Sequence, residues 1–80
     1  MKEYIKDDNL RMNRIKDIID LIMLMQSRTM GVSLNEIQEE FGVSRRTAQR
    51  MKDIVMTLYP QISEIKTNSR IKRWGFKGKP

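Results

Sequence analysis

Two serines placed to cap helices lie on either side of a short segment that ends in glycine. Ser33 and Glu36 have the S-x-x-E spacing of a capping box, in which each side chain binds the backbone N–H of the other residue. Apolar residues at helical spacing follow, so a short helix is predicted over residues 34–41. Gly42 can adopt the left-handed conformation that ends a helix, and Ser44 can cap the next one. The sequence therefore predicts two helices joined by a turn of three or four residues.

A longer helix is predicted upstream, from about Leu10 to Arg28, with Gly31 as its stop. Residues 1–9 are interpreted as an N-terminal extension whose last residues are capping candidates: Asp7, Asp8 and Asn9. Apolar residues at helical spacing predict a stripe that faces the core, formed by Ile15, Ile18, Ile19, Ile22 and Met25. Other apolar residues widen this stripe and form either a dimer surface or additional core: Leu21, Met23 and Leu24, with Tyr4 and Ile5 upstream.

The third helix is predicted to run from about Arg45 to Tyr59, because a proline such as Pro60 disfavours the helical conformation in the residue before it. Its apolar residues fall on one side of the helix and are expected to pack in the core: Ala48, Met51, Ile54, Val55 and Leu58. The aromatic residues near the end of the chain are predicted to close the core rather than to stack on bases: Tyr59, Trp74 and Phe76.

Two strand-like segments follow, at residues 62–67 and 70–77, separated by Asn68-Ser69. Asparagine tolerates a positive φ, so a hairpin turn of two residues is predicted there. In a regular strand Ile71 and Trp74 would lie on opposite faces of the sheet, so that they could not both face the core. A bulge near residues 72–73 or a longer loop would remove this conflict. Three helices followed by a basic hairpin predict a mainly α, winged helix-turn-helix domain over residues 10–77, with a tail at residues 78–80.

Charge is divided unequally along the chain. Lys and Arg number 16 and Asp and Glu 10, so the net charge is +6, but residues 1–43 carry −2 and residues 44–80 carry +8. This imbalance predicts a surface that faces a polyanion, most often nucleic acid. The sequence has no cysteine and no histidine, and its carboxylates are scattered, so neither an enzyme nor a cofactor or metal is expected. No apolar run reaches the ~18 residues of a membrane span, and a cytoplasmic, nucleoid-associated protein is expected.

The amino end of the third helix carries the side chains with the clearest chemistry. Its exposed side holds Arg45, Arg46, Gln49 and Arg50. Arginine can pair with guanine O6 and N7, and glutamine with adenine N6 and N7, so this helix is predicted to lie in the major groove of double-stranded DNA. Contacts with phosphates are predicted for Ser44 and Thr47 at the cap of this helix. Contacts with phosphates or with the minor groove are predicted for Arg70, Lys72 and Arg73 on the hairpin, which forms the wing. The glutamates of the second helix must then point away from the duplex or pair with arginines.

Two other functions use the same basic surface. A protein-interaction module would dock an acidic partner there and would not bind random duplex DNA in a salt-sensitive way. An RNA-binding protein would prefer single strands or loops, and it would need Trp74 or Tyr59 exposed as a stacking platform.

The segment from Leu34 to Val55 reads LNEIQEEFGVSRRTAQRMKDIV, and it resembles the amino-terminal domain of DeoR-like bacterial regulators, especially those that carry a WYL domain. The resemblance rests on Glu36-Ile37, on the run from Glu40 to Thr47 and on Gln49-Arg50, and Arg73-Trp74-Gly75-Phe76 is similar to the second wing strand of that group. It implies a sequence-specific transcriptional regulator of the repressor type that binds double-stranded DNA, usually as a homodimer. In that family the residues that dock in the major groove match Ser44, Arg45, Arg46, Thr47, Gln49 and Arg50.

The sequence departs from the family at one position and is shorter than its members. Met51 stands where the family usually has aspartate, so the local packing or pairing must differ there. Members continue past the position of Pro80 into an effector-binding or dimerising part, so no small-molecule ligand is expected within these residues.

Overall fold

The computed structural model describes the backbone of residues 2–76 and the side chains of residues 14–76. Three helices precede a two-stranded antiparallel sheet. The elements are α1 (Lys2–Ser27), α2 (Leu34–Phe41), α3 (Arg45–Leu58), β1 (Ile62–Ile65) and β2 (Arg73–Phe76). This arrangement confirms the predicted fold class, a mainly helical domain with a small hairpin.

The first helix is longer than predicted. It begins at Lys2 rather than near Leu10, so the predicted caps at residues 7–9 lie inside the helix. The segment contains neither glycine nor proline, and it is rich in lysine, leucine, arginine and methionine, which are good helix formers. Asp and Asn cost only a few tenths of a kcal/mol each relative to such residues, which is too little to end a helix here. Among residues 2–76, no helix combines the length and apolarity that a bilayer crossing requires.

The turn between α2 and α3 has the predicted geometry. The Ser33 N–H donates to Glu36 Oε1 (2.9 Å), and the Glu36 N–H donates to Ser33 Oγ (3.2 Å), which forms the capping box. Gly42 ends α2 in the left-handed conformation, with φ 62° and ψ 42°. Ser44 then caps α3, since its Oγ accepts the Thr47 N–H at 3.2 Å. The helix-turn-helix prediction is confirmed to the residue for α2, and α3 ends at Leu58, one residue early.

The core lies where the three helices and the two-stranded sheet meet. Its buried apolar side chains are Leu21, Met25, Val32, Leu34, Ile37, Ala48, Met51, Val55, Ile62 and Trp74. The predicted stripe of α1 was partly wrong, because Ile15 and Ile19 are exposed whereas Leu21 is fully buried. On α3, Ile54 and Leu58 are exposed as well. Each helix has apolar residues on more than one face, so spacing alone does not identify the face that packs.

The hairpin has a longer loop than the predicted two-residue turn. Ile62 pairs with Phe76 and Ile65 with Arg73, so the loop covers residues 66–72. Ile71 therefore lies outside the strands, which removes the conflict with Trp74. Val32 forms an isolated antiparallel bridge with the other edge of β2. Its N–H donates to Trp74 O at 2.8 Å, and the Trp74 N–H donates to Val32 O at 3.0 Å. The wing is thus anchored to the segment that precedes α2. Of the three aromatic residues predicted to close the core, Trp74 is buried and Phe76 is partly buried against it, but the prediction was wrong for Tyr59, which is exposed.

Candidate nucleic-acid interface

A groove of about 560 Å³ separates the amino half of α3 from the loop of the hairpin. Four of its lining residues are cationic and none is a carboxylate. The lining comprises Ser33, Leu34, Asn35, Arg45, Gln49, Lys52, Arg70, Ile71, Lys72 and Trp74. A water-accessible cleft with charge of one sign concentrates the field of its side chains, which favours an anionic ligand.

The amino end of α3 places two of the predicted contacts on the flank that faces the wing. Arg45 and Gln49 are exposed and four residues apart, so both point into the groove. The Arg45 Nη1 donates to Asn35 Oδ1 at 3.2 Å, which favours an orientation of the guanidinium toward the groove. Ser44 caps the helix, and its hydroxyl also donates to Thr47 Oγ1 at 3.2 Å. The helix start therefore offers a guanidinium, an amide and two hydroxyls within its first turns.

The other two arginines of α3 lie away from this groove. Arg46 is exposed on the outer surface of the helix. Arg50 lies on the opposite flank, where it lines a shallow groove with Arg14, Met51, Asp53 and Ile54. The structure thus places basic side chains on both flanks and on the crest of α3. This distribution suits a helix that lies between two phosphate backbones.

The wing contributes Arg70 and Lys72 to the groove, while Arg73 is bound elsewhere. The Arg73 Nη1 donates to Glu36 Oε1 at 2.9 Å, and the side chains of Arg73 and Glu36 are both partly buried. Arg28 Nη1 lies 3.4 Å from Glu36 Oε2. Arg73 was predicted as a DNA contact, which stays a prediction; in the structure its guanidinium joins β2 to α2.

Glu36 is the electrostatic centre of this arrangement. Burial alone would raise the pKa of its carboxyl group, but the Ser33 N–H and the guanidinium groups of Arg73 and Arg28 outweigh burial and lower that pKa. The carboxylate thus satisfies the expectation that glutamates of α2 pair with arginines. Glu39 and Glu40 are exposed, and Glu40 lies beside Lys16 and Asp17 on the side of α1.

We expect replacement of Glu36 by glutamine to destabilise the fold by about 1 kcal/mol at pH 7. The amide keeps the shape of the side chain but lacks the negative charge that pairs with Arg28 and Arg73. A carboxyl group whose pKa is lower in the folded state contributes stability above its unfolded pKa, and this contribution is lost as the pH falls. The difference between wild type and variant should therefore shrink below about pH 4.5, the ordinary value. Urea denaturation at pH 7 and pH 3 measures it, and an equal difference at both values would contradict the assigned role.

Among the groove residues that were not predicted as contacts are Asn35 and Lys52. The Lys52 Nζ lies 4.8 Å from the centroid of the Trp74 ring and 2.7 Å from Asp53 Oδ1, with only 13% of the side chain exposed. Lys52 follows Arg45 by seven residues, so helical spacing would have placed it on the same flank. Asn35 carried no comparable signal, because its contact with Arg45 depends on how α2 packs on α3.

A helix-turn-helix with a capped second helix, followed by a hairpin that pairs with the segment before α2, defines a winged helix-turn-helix domain. The sequence matches the family described as HTH domain over residues 14–64, which is more than half of the chain. The chain therefore belongs to the helix-turn-helix family, whose members are DNA-binding regulatory domains. No curated protein matches the sequence.

Proposed function

We propose that this protein is a sequence-specific transcriptional regulator that binds double-stranded DNA and acts as a repressor, as its resemblance to the DeoR-like group implies. The observation that carries the proposal is the groove between α3 and the wing, which is lined by four cationic side chains and open to solvent. Both of its walls belong to elements that a winged helix-turn-helix presents to a duplex.

In the proposed complex, α3 lies in the major groove. The helix has 14 residues, about 21 Å at 1.5 Å per residue, which suits a groove about 12 Å wide. Arg45 and Gln49 then reach base edges, and Ser44 and Thr47 contact phosphate near the helix start. Arg46 and Arg50 contact the backbone or bases on the other side.

The wing holds the flanking backbone in the same proposal. Arg70 and Lys72 face the groove from the loop of the hairpin and bind phosphates, or enter the adjacent minor groove. Arg73 supports them by holding β2 against α2 through Glu36. One domain contacts only a few base pairs, so we propose a homodimer on two half-sites about 34–36 Å apart, or a multiple of that distance.

Selection of bound duplexes from a random pool tests this function. We expect enrichment of one sequence as an inverted repeat, because two identical domains related by a two-fold axis read the two strands alike. If about five phosphates are neutralised, the plot of log affinity against log salt concentration should have a slope of about −4 to −5.

A pool that shows no enrichment, with binding that does not depend on salt, would overturn the proposal. That result would instead favour an acidic protein partner in the basic groove. For RNA binding, Trp74 is only 8% exposed and lies against Lys52, whereas Tyr59, the other predicted stacking platform, is 38% exposed.

A further inference from the structure

The outward side of α1 carries an apolar stripe that the fold leaves uncovered. Ile15, Ile19 and Met23 follow one another at intervals of four residues and are 58%, 52% and 60% exposed. Leu21 and Met25, on the opposite side of the helix, are fully buried in the core. Of the residues predicted to form either a dimer surface or additional core, Leu21 is core and Leu24 is partly buried, whereas Met23 is exposed. Tyr4 and Ile5 lie outside the described side chains.

We propose that this stripe binds the same stripe of a second copy of the chain, with the two α1 helices antiparallel. The inference deepens the homodimer of the proposed function by assigning its interface. A two-fold interface needs a surface that is complementary to itself. With Ile19 on the two-fold axis, Ile15 faces Met23 of the partner subunit, and Met23 faces Ile15 of the partner subunit.

Charge favours this arrangement. Lys16 and Asp20 form an ion pair of 2.8 Å within α1, on one side of the stripe. The midpoint of the pair is residue 18, one position from the proposed axis, so an antiparallel copy brings Lys16 near Asp20 of the partner subunit. Residues 14–43 carry five carboxylates and three basic side chains, so two copies meet here without bringing their strongly basic halves together.

The stripe is a small apolar surface. Its three side chains expose on the order of 350 Å² per chain, within the range of the largest apolar patch that a monomer usually shows. Two copies would bury about 700 Å² through the stripe, so the proposed dimer is a weak one that forms at high protein concentration. Among the described side chains of α1, residues 14–27, none lines the basic groove, so an interface on the stripe leaves that groove open to DNA.

Single cysteines test the proposed geometry, because the chain has none of its own. We expect Ile19→Cys to form a disulfide-linked dimer under mild oxidation, since a residue on the axis meets its own copy. Ile15→Cys alone and Met23→Cys alone should form no disulfide-linked dimer, because each residue lies about 12 Å along the helix from its own copy, whereas a disulfide needs Cα atoms about 4.4–6.8 Å apart. An equal mixture of those two variants should cross-link.

The controls separate the proposed pairing from other arrangements. Thr57→Cys, exposed on α3, should not cross-link. If each of the three α1 variants cross-linked with its own copy, the antiparallel arrangement would be overturned. If none of them cross-linked, singly or mixed, the interface itself would be overturned.

Sedimentation equilibrium without cysteines provides a second measurement. The wild type should dimerise, and Ile19→Asp should raise the dimer Kd by about 100-fold or more, because the symmetric interface loses the contact twice. Its circular dichroism should match that of the wild type, since Ile19 is exposed. A wild type that sediments as a monomer at all concentrations would overturn the inference. Enrichment of a half-site in the duplex selection would still support the proposed function in that case.

Discussion

Replacement of Gly31 by alanine is expected to destabilise the protein by at least about 3 kcal/mol, whereas the same replacement at Gly42 should cost about 1 kcal/mol. Both glycines have a positive φ, 79° at Gly31 and 62° at Gly42, so both variants carry the same kind of backbone strain. A Cβ at position 31 would lie 2.6 Å from the carbonyl oxygen of Trp74 and 2.9 Å from Cδ1 of Ile65. A Cβ at position 42 meets nothing within 4 Å.

The additional cost at Gly31 comes from the backbone it would displace. The carbonyl of Trp74 accepts the Val32 N–H at 2.8 Å, and this pairing joins the wing to the segment before α2. A methyl group there must separate the two backbones, which weakens two hydrogen bonds worth about 1 kcal/mol each. A domain of this size has a total stability of about 4–12 kcal/mol, so the loss would unfold an appreciable fraction of molecules or leave little margin.

Urea denaturation followed by the fluorescence of Trp74 measures both variants, since Trp74 is the only tryptophan of the chain. Gly42→Ala serves as the matched control, because it has the strain without the collision. Equal destabilisation by the two substitutions would show that the pairing of Val32 with Trp74 contributes little to the fold.

The parts of the fold that depend on near neighbours in the sequence were predictable. The capping box of Ser33 and Glu36, the left-handed Gly42 and the cap at Ser44 act within four residues, and the structure has all of them. Local capping therefore defined the helix-turn-helix and the start of the helix that carries Arg45.

The parts that depend on distant residues were not predictable. Gly31 was expected to end α1, but its approach to β2 follows from the pairing of Val32 with Trp74. Arg73 was predicted to contact DNA, and its ion pair with Glu36 joins residues far apart in the sequence. The face of α1 that packs in the core was also ambiguous, because apolar residues occur on more than one of its sides. In each case the deciding contact forms only after the chain has folded.

Replacement of Arg45 by alanine should have the largest effect on DNA recognition. Arg45 faces the basic groove and is oriented by Asn35, so its guanidinium is held ready for a planar acceptor such as guanine. We expect the loss of about 1–3 kcal/mol, or roughly 5- to 150-fold in affinity, on the selected sequence and a much smaller loss on random duplex. Lys72→Ala should instead weaken binding to all sequences alike and make the salt slope less steep by about 1, because it removes a phosphate contact.

Gln61→Glu provides a control with the same change in net charge as Arg45→Ala. Gln61 is exposed and lies beyond the carboxyl end of α3, about 20 Å along the helix from Arg45. That distance exceeds the Debye length of about 10 Å at 0.1 M salt, so a general effect of charge should be small. Equilibrium titrations of selected and random duplexes at several salt concentrations distinguish the variants. If Arg45→Ala weakened both duplexes equally, Arg45 would bind phosphate, and base reading would pass to Gln49 or Arg46 on the neighbouring positions of α3.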